Sequence, residues 1–140
     1  MQITKATEYG VRVILELSSR QEPEQPVTID ELCQVQNIPA KYFRKMIIML
    51  INAGLVRSYR GPKGGLALGR PPAKISLYDV IKVTEGEIML NVCLSGADEC
   101  NQIEACPVHD VWARAQGAML NELKQVDFAE LAQKYRVAKG

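Results

Sequence analysis

Apolar residues recur along the first half of the chain with the spacing of short amphipathic helices. Val11, Ile14, Leu15 and Leu17 predict a first helix from about Thr7 to Ser19. Gln21-Glu22-Pro23-Glu24-Gln25-Pro26 has the composition of a loop. Thr28, with Glu31 three residues on, reads as a capping box opening a second helix that carries Ile29, Leu32 and Val35 inward. Asn37-Ile38-Pro39 breaks that helix. Pro39 suits the first turn of a third, where its missing N–H removes no bond. Phe43, Met46, Ile47, Leu50 and Ile51 form the inner stripe of the third helix, and Ala53-Gly54 ends it. Lys41, Tyr42, Arg44 and Lys45 occupy its opposite face. Two helices joined by a few residues, the second basic on its outside, predict a helix-turn-helix.

Leu55 to Arg60 alternates like a strand, Gly61-Pro62-Lys63-Gly64-Gly65 turns, and Leu66-Ala67-Leu68 returns as its partner. A hairpin directly after the third helix is the wing of a winged helix. Ile75 to Ile81 leads into a fourth helix with Ser76 as its cap. A cysteine-bearing loop follows. Val108, Val111, Trp112, Ala115, Ala118, Met119 and Leu123 then fall on one stripe of a long helix, and Asp127 with Glu130 predicts a capping box for a last short helix through about Tyr135. The predicted fold is mainly α with one small β-hairpin. Residues 1–75 form a winged helix-turn-helix domain with its wing at about 55–69, and 76–90 a connecting helix. Residues 91–109 form a ligand-bearing loop, 107–125 a dimerisation helix, and 126–140 a short helix and tail. The long stripe covers its own core or a copy of itself; pairing is the expectation, because helix-turn-helix proteins double their contacts on pseudo-palindromic sites.

Charge sharpens this picture. The net charge of +1 conceals 11 Lys/Arg against 6 Asp/Glu in residues 1–75, and 6 against 10 in residues 76–140. Between residues 41 and 70 there are seven basic residues and no acid. A concentrated basic surface suits a polyanion, here double-stranded DNA. Thr28, Ala40, Lys41, Tyr42, Arg44 and Lys45 are candidate DNA contacts from the two helices; Arg57, Arg60, Lys63, Gly64 and Gly65 are candidates from the wing. Arginine at the tip of a thin hairpin suits a narrow minor groove, and the paired glycines allow close backbone approach. No apolar run reaches the length of a membrane helix, and the N-terminus lacks the pattern of a signal peptide, so the chain reads as cytoplasmic. No glycine-rich nucleotide loop follows a strand, and no nucleophile is paired with a base, which argues against an enzyme.

Cys93, Cys100, Cys106 and His109 are spaced C-x6-C-x5-C-x2-H within 17 residues. Three soft thiolates and an imidazole are ligands for an iron–sulfur cluster or for zinc. The absence of a C-x2-C knuckle favours iron–sulfur. Cys106 and His109, three apart at the start of a helix, face the same way. Cys33 stands apart in the second helix and reads as a small buried hydrophobe.

Taken together, these features resemble the IscR/NsrR family of winged-helix iron–sulfur regulators, most of all IscR. The likeness rests on Met1 to Gly10, Ile38-Pro39-Ala40-Lys41-Tyr42, Asn52-Ala53-Gly54-Leu55-Val56, the wing Arg57 to Gly65, Val80-Ile81 with Glu85-Gly86, and the cysteine loop. The resemblance implies a homodimer with crossed long helices and a cluster near the dimer interface. It implies a [2Fe–2S] cluster on Cys93, Cys100, Cys106 and His109, or a [4Fe–4S] cluster with Glu8 of the partner subunit as the fourth ligand. It also implies control of iron–sulfur cluster assembly genes, or sensing of nitric oxide, iron or thiols. The first cysteine gap is one residue longer than in IscR, and Arg44 stands where some IscR-like proteins carry an acid.

Overall fold

The computed structural model describes residues 2–95 and 106–140. Its elements are α1 (Lys5–Ser19), α2 (Ile29–Gln36), α3 (Ala40–Asn52), β1 (Val56–Tyr59), β2 (Gly65–Leu68), α4 (Leu77–Glu85), α5 (Pro107–Gln125) and α6 (Phe128–Lys139), with single 3-10 turns at Pro72–Lys74 and Val92–Leu94. This is a winged helix: α2 and α3 form the helix-turn-helix, and β1 pairs antiparallel with β2 in the register Val56↔Leu68 to Tyr59↔Gly65.

The central element is α1, against which α2, α3, α4 and α6 all pack. Val13, Ile14 and Leu17 of α1 meet Leu32, Phe43, Met46, Leu50, Leu55, Val80 and Phe128 in one apolar cluster. Phe128 is fully buried, so α6 closes the same core that the helix-turn-helix uses, and packing continues across residue 75. Backbone bonds between Phe128 and Ile75 (2.9 Å) and between Leu77 and Val126 (3.1 Å) hold the start of α6 beside the start of α4.

The local signals resolve in different ways. Ser76 and Asp79 form a reciprocal capping box at α4. At α2 and α6 the expected boxes are half-formed. Thr28 and Asp127 each accept from the third backbone N–H, but Glu31 turns to Arg20 (2.9 Å) and Glu130 to Lys134 (3.1 Å). Lysine and arginine partners compete for those carboxylates. Pro39 is the N-cap of α3, one position before the helix proper. The inward stripe expected of α2 reduces to Leu32, with Ile29 and Val35 exposed. Steps of three residues rotate about 60° backwards along a helix, so only the middle member of such a triplet points at α1 and α3. Cys33 is half-buried, and burial pushes its thiol pKa up. The last helix runs to Lys139, beyond the expected end at Tyr135.

Candidate nucleic-acid interface and ligand-bearing loop

The turn between α2 and α3 is set by Asn37, which takes the left-handed conformation (φ 54°) and donates its N–H to the last turn of α2. Asparagine tolerates that region better than most residues. Ile38 is buried, and its N–H donates to the Cys33 carbonyl (2.9 Å). Pro39 then caps α3, which runs from Ala40 with Phe43, Met46, Ile47 and Leu50 inward, and Ala40, Lys41, Tyr42, Arg44 and Lys45 all exposed. The Lys41 ammonium lies 4.8 Å from the centre of the Tyr42 ring.

The wing is fastened to the helix-turn-helix through Val27, which exchanges two backbone hydrogen bonds of 2.8 Å with Leu66. This third pairing places Thr28, the exposed N-cap of α2, beside the hairpin. Gly65 makes it possible: its φ is 148°, and a Cβ there would stand 2.5 Å from the Val27 carbonyl oxygen. An open groove of about 280 Å3 lies between the two, lined by Thr28, Asp30, Ser58, Tyr59 and Gly64. Arg57 is exposed on β1, and Arg60 and Lys63 are exposed in the turn. Of the candidate contacts, Thr28, Gly64 and Gly65 line this groove, while Lys41, Tyr42 and Lys45 of α3 border a separate cleft with Lys5 and Tyr9 of α1. Sequence periodicity gives no sign of the Val27–Leu66 pairing, because the partner lies 39 residues away.

The second candidate site begins where α4 ends. Cys93 is buried within the 3-10 turn Val92–Leu94, and Cys106 is the N-cap residue of α5. His109 sits in the first turn of α5, its N–H donating to the Cys106 carbonyl (3.3 Å). The segment entering the loop is tied to α5 by Leu90 N–H, which donates to Gln116 Oε1 (2.9 Å). Cys100 lies outside the described residues. Among the described residues, no three His, Cys, Asp or Glu side chains surround one point. His109 Nδ1, however, is buried and has no hydrogen-bond partner among the described residues. A buried imidazole nitrogen is seldom left unmatched, and a metal is one of its ordinary partners. The Cys106 thiol and this nitrogen stand together at the head of one helix, and soft sulfur beside imidazole is a donor chemistry that suits an iron–sulfur group.

Glu8 stands on the first turns of α1, bonded to Lys5 (3.0 Å) and to the Arg12 guanidinium. The hydrogen bond from Lys5, helped by the charges of Lys5 and Arg12, holds its carboxyl below the usual carboxylate range against the opposing effect of desolvation. Arg12 also donates to the Gln36 carbonyl (3.3 Å) at the end of α2. On α5, no residue is buried: Val108, Val111 and Trp112 are 48%, 51% and 37% exposed. No described helix is long and apolar enough to cross a membrane.

A winged helix with a basic third helix and a basic hairpin defines a DNA-binding transcriptional regulator. The profile of the Rrf2 family, described as an iron-dependent transcriptional regulator, matches residues 3–134, and the chain belongs to that family. It is similar to the protein aau3 of Rhizobium meliloti (strain 1021), 30% identical over 125 residues, covering 89% of this chain and 80% of aau3. Among solved structures it is similar to CymR, the global cysteine regulator of B. subtilis. There the TM-score is 0.78 at 29% identity, with 96% of this chain and 98% of CymR covered. It is also similar to IscR of T. potens, with a TM-score of 0.76 at 25% identity, covering 100% of this chain and 92% of IscR. The family is one of transcription regulators, not of enzymes.

Proposed function

We propose that this chain is a homodimeric, iron–sulfur-sensing regulator of transcription that acts on genes of iron–sulfur cluster assembly. The observation that carries the reading is the buried Nδ1 of His109, which has no hydrogen-bond partner among the described residues and lies one turn of α5 from Cys106, after a stretch of sequence that also supplies Cys93 and Cys100. Those four side chains would hold a [2Fe–2S] cluster; a [4Fe–4S] cluster would instead take Glu8 of the partner subunit in place of His109. When bound, the group supplies a centre whose redox state and occupancy respond to oxidants and nitric oxide. The chain does the rest. The exposed Val108, Val111 and Trp112 are covered by the same stripe of a second copy, which pairs two reading heads. The α3 helices enter successive major grooves about 34 Å apart, and Arg60 of each wing reaches the flanking minor groove. The segment that enters the loop is tied to α5 through Leu90 and Gln116, so a rearrangement of the loop would be passed to α5 and the spacing of the heads.

CymR offers a second reading. Its structure resembles this one as well as that of IscR does, and it is a cysteine regulator, so a metal-free thiol or metabolite sensor on the same fold is the rival. Protein purified without oxygen decides between them. The proposal expects a brown dimer in sedimentation, with iron and acid-labile sulfide in equal amounts. A colourless protein lacking sulfide after reconstitution favours the rival.

A further inference from the structure

The exposed face of α3 is polar and cationic apart from Ala40 at its first position and one large aliphatic residue. Ile48 is 51% exposed, in the second half of a helix whose other outward positions are Ala40, Lys41, Tyr42, Arg44, Lys45 and Asn52. Single exposed aliphatics are common on protein surfaces and by themselves mean nothing. The place of this one is what matters. At 100° per residue, Lys41, Lys45 and Ile48 fall within about 60° of one another, and Lys41 lies nearly opposite the centre of the buried stripe Phe43, Met46, Ile47 and Leu50. Ile48 therefore stands on the outward row of α3, one turn beyond Arg44 and Lys45. The sequence supplies no acid between residues 41 and 70 to pair with that row. Its neighbours can bind phosphates and guanine edges, but an isoleucine offers no donor or acceptor. In the major groove the apolar feature that sets one base apart is the C5-methyl group of thymine.

We propose that Ile48 is a specificity-determining residue that reads thymine through its C5-methyl group. The proposal rests on α3 being the helix that enters the major groove. Removing Ile48 leaves the phosphate contacts of Lys41 and Lys45 in place, so overall attraction to DNA persists while discrimination at one base pair falls. Burying one methyl group corresponds to about fourfold in affinity at each half-site.

The test begins with selection of duplexes from a random-sequence pool by the full-length protein as purified without oxygen. An enriched duplex is resynthesised with deoxyuridine replacing thymidine at one position at a time, which removes only the methyl group. The proposal expects one position per half-site where uracil weakens binding by about fourfold, and expects that penalty to vanish for Ile48→Ala. Binding of the variant to unselected DNA stays unchanged. Because Ile48 is exposed, the variant is expected to unfold at the temperature of the parent. Indifference of the parent protein to uracil at every position overturns the proposal without any variant. A uracil penalty that persists in Ile48→Ala assigns the methyl contact to another residue and also overturns it. A pool that shows no enrichment contradicts sequence reading by α3 itself, and the proposal falls with it.

Discussion

Gln36 Nε2 donates to the Tyr135 hydroxyl over 2.9 Å, joining the last residue of α2 to a residue 99 positions further along the chain. Beneath this bond lies Glu16, 3% exposed, which accepts from Arg20 (3.3 Å) and Gln36 (3.4 Å) and has Lys139 at 3.8 Å. Arg20 reaches on to Glu31 (2.9 Å), so one buried carboxylate connects α1, both ends of α2, and α6. Buried charges are retained where several partners satisfy them, and here the partners orient the helix that positions α3. Tyr135→Phe removes only the hydroxyl. It should cost roughly 0.5–1.5 kcal/mol, read as a lower urea midpoint with an unchanged slope. An unchanged midpoint would remove this bond from the account.

A second clamp joins the start of α1 to the end of α4. Glu85 Oε1 accepts from the Thr4 N–H (2.7 Å) and the Thr7 hydroxyl (2.8 Å), and Thr7 also meets Thr84 (2.6 Å). The bond from Thr4, then that from Thr7, holds the Glu85 carboxyl below the usual carboxylate range. A carboxylate with a lowered folded pKa contributes stability that is complete above its unfolded value and is lost as pH falls through the folded value. These bonds lie near the surface, where solvent screens them, so Glu85→Gln should cost about 0.5–1 kcal/mol at neutral pH. It should also lose less stability than the parent on acidification below the usual carboxylate range. Urea midpoints across the acid range, parallel for the two proteins, would contradict this.

The wing makes a separable prediction. Arg60 is exposed in the turn between β1 and β2, with no ion pair among the described residues. Arg60→Ala should weaken binding to a selected duplex by roughly 1–3 kcal/mol at fixed salt and leave folding intact. Affinity equal to that of the parent would take the wing out of DNA recognition.

Much of this was legible along the chain, for a physical reason. The stripe of α3, the Asn37-Ile38-Pro39 break and the glycine-rich hairpin are local patterns, in which neighbouring residues specify one another. The family resemblance rested on the same segments, and the match to Rrf2 over residues 3–134 agrees with it. Contacts between distant segments left no such trace. Nothing near Tyr135 announces Gln36, nothing near Val27 announces Leu66, and the burial of Phe128 in the core of the N-terminal half depends on where α6 returns. Ile29 and Val35 went the other way: apolar residues at helical spacing that the short α2 leaves exposed. In the ligand loop, the order of thiols and imidazole is a sequence property. That the Nδ1 of His109 is buried with no partner among the described residues emerged only from the fold.

The central claim is that occupancy of the cysteine loop governs how the paired α3 helices meet a duplex. The direct measurement is a fixed-salt, oxygen-free titration of one selected duplex with three proteins: the cluster-loaded parent, the same protein after chelation, and Cys93→Ala. The account predicts that the last two agree with each other and differ from the first by about ten- to a hundredfold. Equal affinities for all three, on every selected duplex, would contradict it.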